Sequence, residues 1–566
     1  MKKTRRGYLS LAPIVLTGVL VVPVLVGLWA TITPAMAPFP GQEHNAFNAL
    51  WAWNGLWPAS WISVLTGFCA TVIALALTAA LFALFEDHKI FTVFLRLLTP
   101  FLAIPHAAAA LALAFILAPS GWVMRAIVSV FNSLNMPISQ TPPDIISMND
   151  PWGLALMFGL VVKEVPFLVL MTLAAWAQCD APRRRLTAST LGYGRAAGFW
   201  LTIWPVLYPQ LRLPIFAVLA YAMTSVEMAM ILGPSLPPTL AVQITKWMAL
   251  PDPQFQKMAA AAALLQLVLV AGVLLLWRII EIVTAAISRA RFQSGGRGLG
   301  LDLPIKILSA IFGVLGFGCL FFGLISLGLW SCTGLWPYPD FLPQTYTARS
   351  WASAKEPLLH ATNNTLILAS VSTLCATALA LAVLQTEYLQ QKKYRAQWII
   401  YLPLLLPQIT FLPGLYHLAL ITGVAGNILT VAFAHFIFVL PYVALTLAPA
   451  FRAWDTRFAL VAAAMGVTND RVFWRLRLPM LLRPILVAAA VGFAVSVAQY
   501  LPSQLIGAGQ IETLTTEAVA LSSGGNRRLI GTYGLAQSLL PAIAFGLAMI
   551  IPSILYRNRR ALRAPK

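Results

Sequence analysis

The sequence predicts an all-α polytopic membrane protein, with about twelve transmembrane helices arranged as two homologous, parallel six-helix halves. Three observations carry the prediction: 59% hydrophobic against only 10% charged residues, a series of apolar runs of spanning length, and a basic stretch that occurs twice. An ordinary soluble domain is about a quarter charged, and a helix needs ~20 apolar residues to cross hydrocarbon. Leu186 to Pro205 reads LTASTLGYGRAAGFWLTIWP, and Leu460 to Pro479 reads LVAAAMGVTNDRVFWRLRLP. Leu, Ala, Gly, Phe, Trp and Pro fall at identical offsets in the two.

Taken in order, the apolar runs lie near residues 9–31, 61–85, 95–118, 153–178, 211–235 and 258–284, then 306–331, 361–385, 398–422, 427–451, 484–508 and 529–556. The first follows a basic start and precedes Ala35-Met36-Ala37, as a cleaved secretion signal would. Its apolar run exceeds the ~7–15 residues of such a signal, so it is read as a true span. Most of the 38 Lys and Arg fall on one side when the amino terminus is placed inside. They include Lys2, Lys3, Arg5 and Arg6 at the start, and Arg557, Arg559, Arg560, Arg563 and Lys566 at the end. That bias assigns both termini to the cytoplasm. It also explains the formal charge of +20 without nucleic acid, leaving membrane lipid as a minor partner of the basic surface. The five cysteines are odd in number, and Cys69, Cys319 and Cys375 lie within spans, so small apolar filler is their expected role and no metal site is expected.

The repeat extends beyond the loop. Cys69-Ala70-Thr71 followed by Ala74-Leu75-Ala76 recurs as Cys375-Ala376-Thr377 followed by Ala380-Leu381-Ala382, and Pro105-His106 finds Pro407-Gln408. Residues 1–290 form the first half and 306–566 the second, meeting along an axis normal to the membrane. Residues 291–305, within the flexible stretch from Ser288 to Lys306 with Ser294-Gly295-Gly296 and Arg297, form a cytoplasmic linker. The first half carries an insertion at 119–152, whose Pro, Asn, Asp and Ser content predicts irregular structure outside the membrane.

The duplicated loops span roughly 183–209 and 455–483. Each reads as a short helix, a Gly turn and a second helix entering the next span. Gly192 and Gly466 suit left-handed backbone angles, and Pro205 and Pro479 remove a helical donor, so a kink or restart is expected there. Phe199-Trp200 and Phe473-Trp474 suit a membrane interface. Arg183, Arg184, Arg185 and Arg195 surround one copy, and Arg457, Arg471, Arg475, Arg477 and Arg483 the other. A single copy reads equally well as a generic interfacial loop. Two copies of one spacing favour a function.

These residues resemble the EAA loop of binding-protein-dependent ABC importer permeases, roughly Glu-Ala-Ala, three residues, Gly, nine residues, Ile, one residue, Leu-Pro. Leu186-Thr187-Ala188, Gly192 and Thr202-Ile203-Trp204-Pro205 align in the first copy, and Leu460-Val461-Ala462, Gly466 and Leu476-Arg477-Leu478-Pro479 in the second. The opening Glu is absent from both. The span number and loop placement resemble the fused tandem permeases of the ferric-ion and thiamine type. The resemblance implies the type I importer permease fold in a bacterial inner membrane, and ATPase coupling through Leu186, Ala188, Gly192, Pro205, Leu460, Ala462, Gly466 and Pro479. It implies as partners two cytoplasmic ABC ATPase subunits, which bind ATP and Mg, and a periplasmic substrate-binding protein. The chain itself contains no Gly-x-x-x-x-Gly-Lys-Ser/Thr loop. Driving a transporter from 1:99 to 99:1 takes about 5.5 kcal/mol, so that energy is expected from outside the chain.

Charges within spans are costly and point to function. Lys163 and Glu164 fall in the fourth span and Glu227 in the fifth, where Gln499 of the run Ser496-Val497-Ala498-Gln499 is taken as its counterpart. Glu227 and Gln499 read equally as path lining or as packing hydrogen bonds, whereas Lys163 and Glu164 lean to packing. His106, His417 and His435 are isolated, without a ligand cluster. Arg278 and Glu281 suit a local i, i+3 ion pair. No nucleophile with a paired base is visible, so no enzyme activity is expected. The alternative is a secondary active transporter of major-facilitator type, also twelve spans in two halves. Its Gly-x-x-x-Asp-type loop after the second span is replaced here by Glu86-Asp87-His88-Lys89.

Overall fold

The computed structural model describes residues 8–38, 45–136, 141–145, 147–176, 178–294, 302–391 and 397–557. Among them all regular structure is helical apart from two isolated bridges, as lipid demands of a chain whose backbone has no water to bond. Among the described residues ten helices are long and apolar enough to cross a membrane, or twelve if two bent pairs each count as one span.

The first series of elements is α1 (Ala12–Met36), α2 (Ala46–Ala52), α3 (Leu56–Phe85), α4 (Lys89–Ala103), α5 (His106–Leu117), α6 (Trp122–Ser133), α7 (Leu154–Trp176), α8 (Ala181–Thr190), α9 (Arg195–Gly198), α10 (Trp204–Thr224), α11 (Glu227–Leu232), α12 (Leu240–Met248) and α13 (Pro253–Gln293). The second is α14 (Asp302–Ser331), α15 (Arg349–Ser353), α16 (Lys355–Gln390), α17 (Leu402–Leu405), α18 (Gln408–Ile421), α19 (Ile428–Arg452), α20 (Arg457–Ala464), α21 (Asn469–Val472), α22 (Leu478–Met480), α23 (Leu482–Ala498), α24 (Leu501–Ile506), α25 (Leu514–Ser522) and α26 (Arg527–Leu555). Except for α6, and for α22 and α23 standing where the first has the single helix α10, the order of the first recurs in the second.

Two spans of each series are broken at matching places. Ile104 and Leu406 precede Pro105 and Pro407 and adopt extended backbone, with ψ of 125° and 126°. Proline imposes this on its predecessor. The fifth span of each series stops at Ser225 and at Gln499, both extended, and restarts in α11 and α24. A break leaves carbonyls without helical donors. Gln266 Nε2 donates to Met223 O at 3.1 Å, and Gln537 Nε2 donates to Thr515 Oγ1, which in turn donates to Val497 O. A buried glutamine of the last span thus serves the break in both series. The short helices that follow are seated alike, Leu240 N on Ser63 Oγ and Leu514 N on Thr365 Oγ1.

The two series embrace each other. Helix α1 packs on α18 and α13, while α14 packs on α5 and α26. Glycine makes the crossings close: a Cβ on Gly414 would lie 2.0 Å from Gly27 O, and one on Gly323 would lie 2.6 Å from Ala112 O. Gly414 N donates to Thr31 Oγ1 at 3.0 Å, so the contact is also hydrogen-bonded, as small-residue crossings in membranes often are. Helix α5, apolar all round, is buried on every side, as its composition requires.

Several expectations need correction. The insertion at 119–152 is not wholly irregular, because α6 occupies Trp122–Ser133. Arg125 pins it by donating to the carbonyls of Ser120, Pro337 and Asp340, and stacks 4.9 Å from the Trp336 ring. The linker is helical at both edges, α13 running to Gln293 and α14 starting at Asp302. Gly295, Gly296 and Arg297 lie outside the described residues, as do Lys2, Lys3, Arg5, Arg6, Arg559, Arg560, Arg563 and Lys566. Glu281 is more than half of a local pair. Besides Arg278 it accepts from Arg212 at 3.1 Å and Tyr208 at 2.6 Å, tying α13 to α10.

Candidate functional site: paired loops and a polar centre

Each loop follows the fourth span of its series and is built the same way. Helices α8 and α20 end at Gly192 and Gly466, with φ of 79° and 76°. In each, the residue after the glycine folds back, Tyr193 N donating to Ala188 O at 3.1 Å and Val467 N to Ala462 O at 2.9 Å. This is the helix stop that a left-handed glycine permits. Ala188 and Ala462 therefore supply the carbonyls that close the turns.

Beyond the turns, α9 and α21 lead into one π-helical turn apiece, Phe199–Ile203 and Phe473–Arg477. Trp204 N donates to Phe199 O, and Leu478 N to Phe473 O. Pro205 and Pro479 come next; proline lacks the donor and crowds the carbonyl four residues back, and the wider turn accommodates both. The expected kink is therefore a π turn in each copy. Only the second also breaks, bending 72° between Met480 and Leu482.

The loops differ in surface and in tether. Helix α8 carries Arg183, Arg184 and Arg185 and buries Ala181 and Ala188. Helix α20 buries nothing and exposes Phe458, Leu460 and Val461, followed by the exposed Met465. Leu186 and Leu460, the aligned pair, are 65% and 68% exposed. Loop one is held by charges: Arg185 Nη1 lies 2.6 Å from both Glu86 and Asp87, and Arg195 lies 3.1 Å from Asp87. Asp302, first residue of α14, caps α9 by accepting from Arg195 N at 2.8 Å and Ala196 N at 3.2 Å. Burial, and then Asp87, push the Glu86 carboxyl up. Asp87 is held low, first by its hydrogen bond from Glu86 and then by Arg185 and Arg195. Loop two is held by aromatic rings. Arg477 is buried, 3.8 Å from the Phe451 ring, 4.1 Å from Tyr388 and 4.9 Å from Trp454, and donates to Gln385 Oε1 and Phe451 O.

The polar residues within the spans fall into two groups. Lys163 Nζ donates to Ile104 O at 2.6 Å, closing the orphan carbonyl at the third-span break. Gln499 Nε2 donates to His435 O at 3.2 Å, and the His435 ring bridges Ser496 and Ser503 at 2.8 and 2.9 Å. These three hold the packing together. Glu227 and Gln499 are not counterparts: Ser225 and Gln499 end the broken helices, so Glu227 matches Leu501. Polarity pairs Glu227 with Gln499, whereas the backbone sets it two residues further on. Glu227 accepts from Tyr221 Oη at 2.9 Å, and the Tyr221 ring meets His106 edge-on at 4.7 Å. Glu164 is 5% exposed. His417 is exposed and apart from both groups. Among the described residues no three His, Cys, Asp or Glu are placed to hold a metal ion, and the cysteines are free.

Sequence reading missed the acid pair and the ring cage. Glu86-Asp87 ends an apolar span in a chain with only 18 acidic residues, a signal that it faces arginine. Arg477 gave no such signal, because its rings come from Tyr388, Phe451 and Trp454.

Comparison with known proteins agrees with this architecture. Residues 376–560 match the family described as "Binding-protein-dependent transport system inner membrane component". Over 432 residues, 75% of this chain and 76% of the relative, the sequence is 33% identical to the "Inner membrane ABC transporter permease protein YnjC" of Escherichia coli (strain K12).

Proposed function

The chain belongs to the binding-protein-dependent inner-membrane permeases of ABC transport systems, and on that premise we propose that it forms the membrane pathway of an ATP-driven importer working by alternating access. The observation that carries this reading is the pair of exposed loops, alike in left-handed glycine, closing carbonyl and π turn. Leu186, Ala188, Gly192 and Pro205, with Leu460, Ala462, Gly466 and Pro479, form two handles for a dimer of separate ATPase subunits that bind ATP and Mg. Closure of that dimer moves residues 1–290 against 306–566 and opens the path to one side at a time. A periplasmic binding protein delivers the solute to the face opposite the loops, and both termini lie in the cytoplasm with the basic surface.

The test is Gly192→Val with Gly466→Val. No atom lies within 4 Å of a Cβ at Gly466, so the change there acts through backbone strain alone, roughly 1–3 kcal/mol. Loss of ATPase co-purification and of ATP-dependent uptake into proteoliposomes is expected. Persistence of both, or uptake without any ATPase subunit, overturns the reading.

A further inference from the structure

We propose that the cleft between α3, α7 and α14 holds one anionic phospholipid, its phosphate at Lys306 and one acyl chain along the cleft. The cleft measures about 380 Å³ and is walled by both series, α3 and α7 from the first and α14 from the second. Val161 and Val165 of α7 are buried at its floor, while Ile73 of α3 and Phe312 of α14 stand exposed at its rims, so it opens sideways toward the bilayer. On α3 the lining runs from Leu81 to Cys69 at every fourth residue, ~18 Å in all. One leaflet of hydrocarbon is about 15 Å deep, so the cleft has the length of a single acyl chain.

What separates this cleft from ordinary lipid-facing surface is its inner end. One turn beyond Leu81 and Ser309 lie Leu84 and Lys306, which line a second hollow with His88, Arg195 and Asp302. The Lys306 stem carries its ammonium past the Phe85 ring at 5.5 Å, and Nζ lies 3.4 Å from His88 Nε2. The carboxylate at i, i+4 spacing from Lys306 is Asp302, but that group is spent on Arg195 N and Ala196 N. Glu86 and Asp87 are taken by Arg185 and Arg195, and among the described residues no carboxylate pairs with Lys306. An ammonium held at the end of an apolar cleft, on the side of the basic loops, is the complement of a lipid phosphate. A zwitterionic lipid brings its own ammonium beside the phosphate, so the anionic headgroup is the better match. Because Asp302 caps α9, the bound headgroup rests at the foot of loop one.

The test is native mass spectrometry of the full chain released from nanodiscs made of equal parts palmitoyl-oleoyl phosphatidylglycerol and palmitoyl-oleoyl phosphatidylcholine. One phosphatidylglycerol per chain should be retained, about tenfold or more in excess over phosphatidylcholine. Lys306→Gln should abolish that preference and Lys306→Arg keep it. No atom lies within 4 Å of a Cβ at Gly313, which lines the cleft, so Gly313→Phe extends into the open space and should cut retention of either lipid about tenfold. Equal retention of the two lipids, retention that Gly313→Phe leaves unchanged, or displacement of the lipid by inorganic phosphate alone overturns the proposal. Should Lys306→Gln fail to fold, Gly313→Phe and the preference of the wild-type chain still decide. The readout involves neither uptake nor the ATPase, so failure of this site and failure of the importer reading stay distinguishable.

Discussion

The loop around Gly192 and the loop around Gly466 share one backbone and almost nothing else. One is basic, tethered by guanidinium to carboxylate and capped by Asp302. The other exposes an apolar helix and is anchored by a cation among three rings. Backbone geometry is thus the common requirement, while the means of fixing it and the surface offered to a partner have diverged. Identical partner grooves would meet unlike surfaces.

The largest effect should come from loop two's anchor. Arg477→Ala removes ring contacts worth about 0.5–2 kcal/mol apiece and two hydrogen bonds to a charged donor, so thermal unfolding should show a loss of about 3 kcal/mol. An unchanged melting temperature would mean the ring cage is idle. Next is the partner surface: Leu460→Glu should cut ATPase co-purification about tenfold, and Leu186→Glu less, because polar side chains already surround Leu186. Equal losses would erase the distinction. Salt sharpens it, since ~1 M salt shortens screening to ~3 Å and should release contacts of loop one before those of loop two.

A smaller effect is expected at the cap. Asp302→Ala should cost about 1 kcal/mol, read as faster hydrogen exchange in 195–198 with no change in 469–472. Smallest is Asp87→Asn, about 0.5 kcal/mol for a half-exposed pair. Asp87 is held below its ordinary value, so its contribution is full above ~3.9 and fades as pH falls through the lowered folded value. Glu86, held high, has the opposite sign and favours the fold more as it protonates. The melting difference between wild type and Asp87→Asn should accordingly shrink as pH falls through the lowered Asp87 value.

The spans, the repeat and both glycine turns were legible in the sequence because each depends on local chemistry: apolar run length, a Cβ-free residue, a missing proline donor. The broken fifth span was not, since its orphan carbonyls are served from other helices, by Gln266 in one series and by Thr515, itself held by Gln537, in the other. Polarity likewise suggested Glu227 with Gln499, whereas backbone matched Ser225 with Gln499. Lys163 and Glu164 read alike in the sequence, as adjacent charges in one span, and only the fold shows that Lys163 Nζ is committed to Ile104 O.

The crossing of α1 with α18 has a consequence for synthesis. Thr31 and its partner Gly414 are separated by 383 residues, so at ~5–20 residues per second the first helix leaves the ribosome roughly 20–80 s before the surface that will cover it. Through that interval Gly27 lacks Phe411 and Leu415, the residues that press on it in the finished fold. The Thr31 hydroxyl, bonded within its own helix to Gly27 O at 2.9 Å, lets the helix wait without an orphan donor until the ribosome delivers its mate.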